Sequence, residues 1–90
     1  MERYSDLPYK GKQAFVGVDV HRKRWDVTIV VESEEVFSGS IPGHYVALQH
    51  VLARVEGATI MVVYEAGYFG YSLHDKVVHD GMACIVTPPS

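Results

Sequence analysis

Two acidic residues stand where an acid is costly and where it could do chemistry. Asp19 interrupts the apolar run Phe15-Val16-Gly17-Val18-Asp19-Val20, and Glu65 closes the run Ile60-Met61-Val62-Val63-Tyr64 just ahead of Ala66-Gly67. A charge inside a core strand is unfavourable unless it is paired, hydrogen-bonded or bound to metal. In open α/β sheets ligands collect at the carboxyl ends of strands, and Glu65 sits at such an end. Two carboxylates side by side there could share a hard divalent cation such as magnesium, or manganese, because these ions prefer oxygen ligands. Asp19 and Glu65 are therefore the candidate metal-binding pair. Each has a plainer reading: Asp19 as a structural hydrogen-bonding residue, and Glu65 as a helix cap or a solvent-facing acid.

Other residues carry weaker signals. The basic run His21-Arg22-Lys23-Arg24 offers Arg22, Lys23 and Arg24 as nucleic-acid contacts, or forms only a solvated turn. Tyr68 lies in Gly67-Tyr68-Phe69-Gly70-Tyr71, where an aromatic ring could stack on a base or pack beneath a helix. This segment lacks the Lys-Ser/Thr that would follow in a phosphate loop. Asp26 alternates onto the side opposite Trp25 and reads as a solvent-exposed acid. The five histidines show no ligand spacing, so no histidine metal site is expected. Cys84, the single cysteine, sits in Ala83-Cys84-Ile85-Val86 and reads as a small buried hydrophobe.

The elements that must hold these residues follow from periodicity. Residues 1 to 13 are polar, lack periodicity and read as a tail, partly ordered by Tyr4 and Tyr9. Residues 14 to 21 alternate as a strand, with Val16, Val18 and Val20 on one side and Phe15, Gly17, Asp19 and His21 on the other. Arg22-Lys23-Arg24 turns the chain into a β-branched strand over 25 to 32, with Trp25, Val27, Ile29 and Val31 on one face. A turn at Ser33-Glu34 leads to a short strand over 35 to 40. After Pro42-Gly43 the spacing becomes helical over 44 to 56, with Tyr45, Leu48, Leu52 and Val55 as the apolar stripe. Gly57 stops that helix. The run 59 to 65 is apolar at nearly every position, which predicts a central strand covered on both faces. A second helix begins at Tyr68 or Phe69 and runs to Asp80, with Phe69, Leu73 and Val77 in register. Gly81 ends it, and a last strand over 82 to 87 is stopped by Pro88-Pro89. The order β-β-β-α-β-α-β predicts an α/β fold with a five-stranded mixed sheet, an antiparallel meander followed by parallel crossovers.

Composition sets outer bounds. The chain has 90 residues, 48% of them hydrophobic, and a net charge of −3. That describes a folded domain with a modest core rather than a disordered chain. No apolar run approaches the ~20 residues that span a bilayer, so no membrane association is expected. The N-terminal residues lack the apolar segment of a secretory leader, which points to the cytoplasm. Nucleic-acid binders are typically basic, and the acidic balance runs against that class unless basic surface is supplied elsewhere.

Three segments in order resemble a known family. Val16-Gly17-Val18-Asp19-Val20-His21-Arg22-Lys23-Arg24-Trp25-Asp26-Val27 resembles the opening motif of the DEDD transposases of the insertion sequence 110 group, which includes the pilin-gene invertases. Tyr64-Glu65-Ala66-Gly67-Tyr68-Phe69-Gly70 resembles the second motif of that family, and Val86-Thr87-Pro88-Pro89-Ser90 is similar to the segment after it. The likeness runs from Phe15 onward. It implies a RuvC-like, ribonuclease-H-like fold, 14 to 90, that stops before its final helix. It also implies a metal-dependent DNA transposition and recombination activity, with Asp19 and Glu65 as the first two of four acidic ligands. The other two would lie on a later helix. In the family a further domain carries a catalytic serine, and a guide-like RNA takes part. With half of its ligands such a chain would bind magnesium weakly and be inactive alone.

Two other function classes fit the same sequence. One is a non-catalytic module that binds nucleic acid or associates with itself as a homo-oligomer through an exposed sheet edge. The other is a nucleotide-binding domain of the actin and sugar-kinase type. That class has the same element order but wants a glycine-rich hairpin after the first Asp, where this chain has His21-Arg22-Lys23-Arg24.

Overall fold

A computed structural model describes residues 7–67 and 72–88. The elements are β1 (Gln13–Val20), β2 (Arg24–Val31), β3 (Glu34–Pro42), α1 (Tyr45–Leu52), β4 (Thr59–Glu65), α2 (Ser72–His79) and β5 (Ala83–Thr87), with a 3-10 turn over Ala53–Val55 after α1. The five strands form one sheet in the order β3-β2-β1-β4-β5. The β1–β2 and β2–β3 pairs are antiparallel, and β1–β4 and β4–β5 are parallel. The fold is therefore α/β with a mixed open sheet, as the element order predicts, and β1 lies beside β4.

Both helices cover the same face of the sheet. Tyr45 of α1 donates a 2.7 Å hydrogen bond to the Asp80 carboxylate just past α2, and Gln49 donates another at 3.1 Å. These bonds hold the Asp80 carboxyl below its usual range, with Tyr45 the largest cause. Beneath the helices the core takes alternate residues from each strand: Ala14, Val16 and Val18 of β1, Trp25, Val27, Ile29 and Val31 of β2, and Val62 and Tyr64 of β4. Leu48, Val51, Leu52, Val55, Leu73 and Val77 close it from above. The Tyr64 hydroxyl accepts the backbone N–H of His74 at 3.0 Å, tying β4 to the first turn of α2.

The opposite face of the sheet carries no helix among the described residues, and this corrects two expectations, the double cover of β4 and the burial of Asp19. β4 is covered on one side only, with Met61 and Val63 half-buried on the other. Phe15 and Ile85 are about half exposed, at 51% and 49%. Asp19 is not a charge in the core: it points to the uncovered face, with its side chain 72% exposed. Its place in an apolar run reflects strand alternation, since Val18 and Val20 flank it on the other side.

Smaller differences concern the ends of elements. Within the predicted tail Tyr9 packs against the core, as expected, and the Lys12 carbonyl accepts a backbone bond from Thr59 at 2.8 Å; Tyr4 lies outside the described residues. Gln13 belongs to β1. His44 caps α1 through Nδ1, which accepts the Ala47 N–H at 3.2 Å, and Val51 joins the buried stripe. Cys84 is half-buried, and burial pushes its thiol above the ordinary range. Gly57 and Gly81 end their helical segments with φ of +96° and +87°, a region that favours glycine.

The β2–β3 turn falls one residue earlier than its polar residues suggest, at Glu32-Ser33. Both have positive φ, 49° and 70°. A two-residue hairpin turn of this hand matches the sheet twist and is normally filled by Asn-Gly. A side chain other than Gly, Asn or Asp held in this region costs roughly 1–2 kcal/mol. Replacing Glu32 by Asn and Ser33 by Gly together is expected to stabilise the fold by about 1 kcal/mol, or roughly 4–8 °C in a domain of this size. Thermal melting of the double variant checks it; an unchanged or lower midpoint would show that the turn is not strained.

Candidate metal centre

The register of three strands assembles the acidic residues. β1 and β4 run parallel with Val18 opposite Tyr64, so Asp19 and Glu65 follow one step on along neighbouring strands. Both face away from the helices. On the other side of β1, Asp19 stands directly opposite Asp26 of β2. The three carboxylates line one open depression of about 460 Å³, with Gly17, Thr28, Val63 and Thr87 among its walls. A water molecule occupies ~30 Å³ of liquid, so the depression has room for a hydrated cation and a phosphate group.

The hairpin between β1 and β2 adds a nitrogen to this set. The His21 N–H bonds the Arg24 carbonyl at 3.1 Å, leaving Arg22-Lys23 as the loop. His21 lies two residues beyond Asp19 and so projects from the same side of the ribbon. Its Nε2 lies 3.2 Å from Asp19 Oδ2 and 3.4 Å from Asp26 Oδ2. One donor atom from each of Asp19, His21 and Asp26 lies within 4.8 Å of the others. Like charges directly opposite on neighbouring strands repel. A cation, or the imidazole N–H, placed between Asp19 and Asp26 relieves that repulsion.

The predicted site residues thus separate into groups. Asp19 and Glu65 share a depression, as their sequence positions predict. Asp26 joins them. Its exposure was expected but its place in the depression was not, and neither was the position of the His21 imidazole between the two acids. The signal was available in the hairpin: once Arg22-Lys23 is the loop, His21 faces Arg24, Val20 faces Trp25 and Asp19 faces Asp26. Arg22 and Lys23 are exposed at the loop. Arg24 is not a turn residue but the first of β2, and its guanidinium donates to the Ser40 hydroxyl of β3 at 2.9 Å. It is partly committed to the sheet. Tyr68 lies outside the described residues. No described helix is long and apolar enough to cross a membrane.

Comparison of the chain with protein-family models, with curated proteins and with solved structures returned no match.

The hairpin is pinned from β3 by the chain after it. Gly43 donates its N–H to the Lys23 carbonyl at 2.9 Å. A Cβ on Gly43 would meet the Lys23 carbonyl carbon and oxygen at 3.0 Å. Those are backbone atoms, so the hairpin itself would have to move. Gly43→Ala is expected to cost about 1–3 kcal/mol, the range for forcing extra atoms into a packed contact. It should also shift the amide resonances of His21 to Arg24. Wild-type stability together with unchanged resonances would show that the contact does not hold the hairpin.

Proposed function

We propose that this chain is the opening part of a ribonuclease-H-like, metal-dependent DNA transposase or recombinase domain, akin to the DEDD transposases of the insertion sequence 110 group. The observation that carries the reading is the convergence of Asp19 and Glu65, the two acids matching the family motifs, on one depression at neighbouring ends of parallel strands. The sheet order and strand directions agree with that architecture. The donor set fits the cation that the resemblance implies. Asp19 and Glu65 present carboxylate oxygens, and exposed carboxylates with room for water suit magnesium, which keeps several waters of its own. When bound, such an ion would polarise a phosphodiester oxygen and lower the pKa of a bound water.

The residues of this chain have separate tasks in that reading. Asp19, at the centre strand, and Glu65, on its neighbour, anchor the cation. Arg22 and Lys23, on the loop above the depression, steer and neutralise a DNA phosphate, a contribution that is independent of base sequence. The Arg24–Ser40 bond braces the base of that loop. With a net charge of −3, most of the basic surface for DNA, or for a guide-like RNA, comes from outside this chain.

Magnesium or manganese titration tests the reading through thermal stability. Wild type should gain about 1.4 kcal/mol at ten times the Kd. Asp19→Asn and Glu65→Gln should each lose that response. Stabilisation that survives in both variants would put the ion elsewhere. The chain alone should not cleave DNA; nicking that is sensitive to EDTA and lost in Asp19→Ala would refute the incomplete ligand set.

A second reading rests on the uncovered sheet face. Phe15 and Ile85 are about half exposed there, beside half-buried Met61 and Val63. A contiguous exposed apolar patch on a small domain marks an interaction surface. As a self-associating module the chain would be a homodimer through this face. Light scattering should then give twice the chain mass, falling to one chain in a Phe15→Lys, Ile85→Lys variant. A wild-type monomer at high concentration removes this reading.

A further inference from the structure

We infer that Asp19, His21 and Asp26 form a second cation site, of mixed nitrogen and oxygen donors, that takes a first-row transition ion such as zinc or cobalt in preference to magnesium. It shares Asp19 with the pair proposed above but does not rest on the transposase reading, because His21 and Asp26 define it.

The geometry comes from the β1–β2 hairpin alone. Two ligands lie at i and i+2 on one strand, and the third lies directly opposite the first. Alternation places all three on the same side of the ribbon, and the short loop fixes their spacing. The three donor atoms lie within 4.8 Å of one another, with the imidazole Nε2 3.2 and 3.4 Å from the two carboxylate oxygens. A zinc ion bonds His nitrogen and carboxylate oxygen at roughly 2.0–2.2 Å, so donors around one ion sit ~3–4 Å apart. Small side-chain adjustments bring this triad to that spacing. The two acids repel across the strands in the free protein, which makes a positive centre between them favourable.

Ligand chemistry sets the choice of ion. Imidazole suits zinc, cobalt and nickel, while carboxylate and water suit magnesium. Three protein ligands leave open positions for water or a substrate oxygen. The side chains are exposed, so an ion can enter directly from solvent. Metal binding requires neutral imidazole with its lone pair on Nε2 and the proton on Nδ1. In the free protein the same nitrogen can instead donate a hydrogen bond to one carboxylate, which is the competing role the experiment must separate.

Cobalt(II) absorption, zinc competition and the ring resonances of His21 in the 90-residue chain provide the test. Zinc should shift or broaden the His21 ring signals, identified by their loss in His21→Gln. Cobalt affinity should fall by about tenfold or more in His21→Gln and in Asp26→Asn, since losing even a group that only supports a ligand costs roughly 10–100-fold. Glu65→Gln should leave cobalt affinity within about twofold while abolishing the magnesium response, so that the two sites fail separately. His74→Gln is the control, because His74 also pairs with an acid, Asp75 at 3.2 Å, but outside the cluster. All substituted side chains of the cluster are exposed, and circular dichroism confirms that the variants fold. Unchanged cobalt affinity in His21→Gln, or an equal loss in His74→Gln, would overturn the site. Either result would leave His21 as a hydrogen-bonded bridge between two acids.

Discussion

The period-two alternation of β1 is the constraint on which the rest of the structure depends. Ala14, Val16 and Val18 face the helices and are buried, while Gln13, Phe15, Gly17 and Asp19 face the other way. β1 is the central strand, hydrogen-bonded to antiparallel β2 on one side and to parallel β4 on the other. Its alternation therefore fixes which face of every neighbour is core. A slip of one residue would turn Asp19 into the packed layer and Val18 out of it, which makes the register strongly specified. The same constraint gathers the acidic residues: those on adjacent strands that share the uncovered parity must share a depression.

Two helices on one face give a two-layer domain whose second face has no cover among the described residues. The consequences are opposite for polar and apolar side chains. Asp19, Asp26 and Glu65 are exposed and keep their charge in contact with water, without a burial penalty. Phe15 and Ile85 stay in water at a cost of order 25 cal/mol for each Å² left exposed. Acids at one end of the face and apolar residues across its middle describe a surface with an acidic margin and an apolar floor.

The hairpin between β1 and β2 links fold to site. Its loop is short, its base is closed by the His21–Arg24 backbone bond, and its outer side is held by Gly43 and by the Arg24–Ser40 contact from β3. This bracing matters because His21 and Asp26 reach Asp19 only through hairpin pairing. A donor on a well-braced hairpin loses less entropy on binding an ion than one on a free loop.

The sequence by itself determined the element order, the buried faces of β1 and β2, and the helix stripes containing Leu48, Leu52, Leu73 and Val77. Those features are local, because alternation, helical spacing and glycine stops act over a few residues. Tertiary structure alone decided that both helices lie on one face, and so that β4 is half-covered and Asp19 is exposed. An apolar run such as Ile60 to Tyr64 reads the same whether its second face is covered or bare, since hydrophobic residues are not excluded from a surface. Tertiary structure also decided that Asp26 and His21 join Asp19. That set depends on where the loop closes, and a displacement by one residue would have carried Asp26 to a different partner.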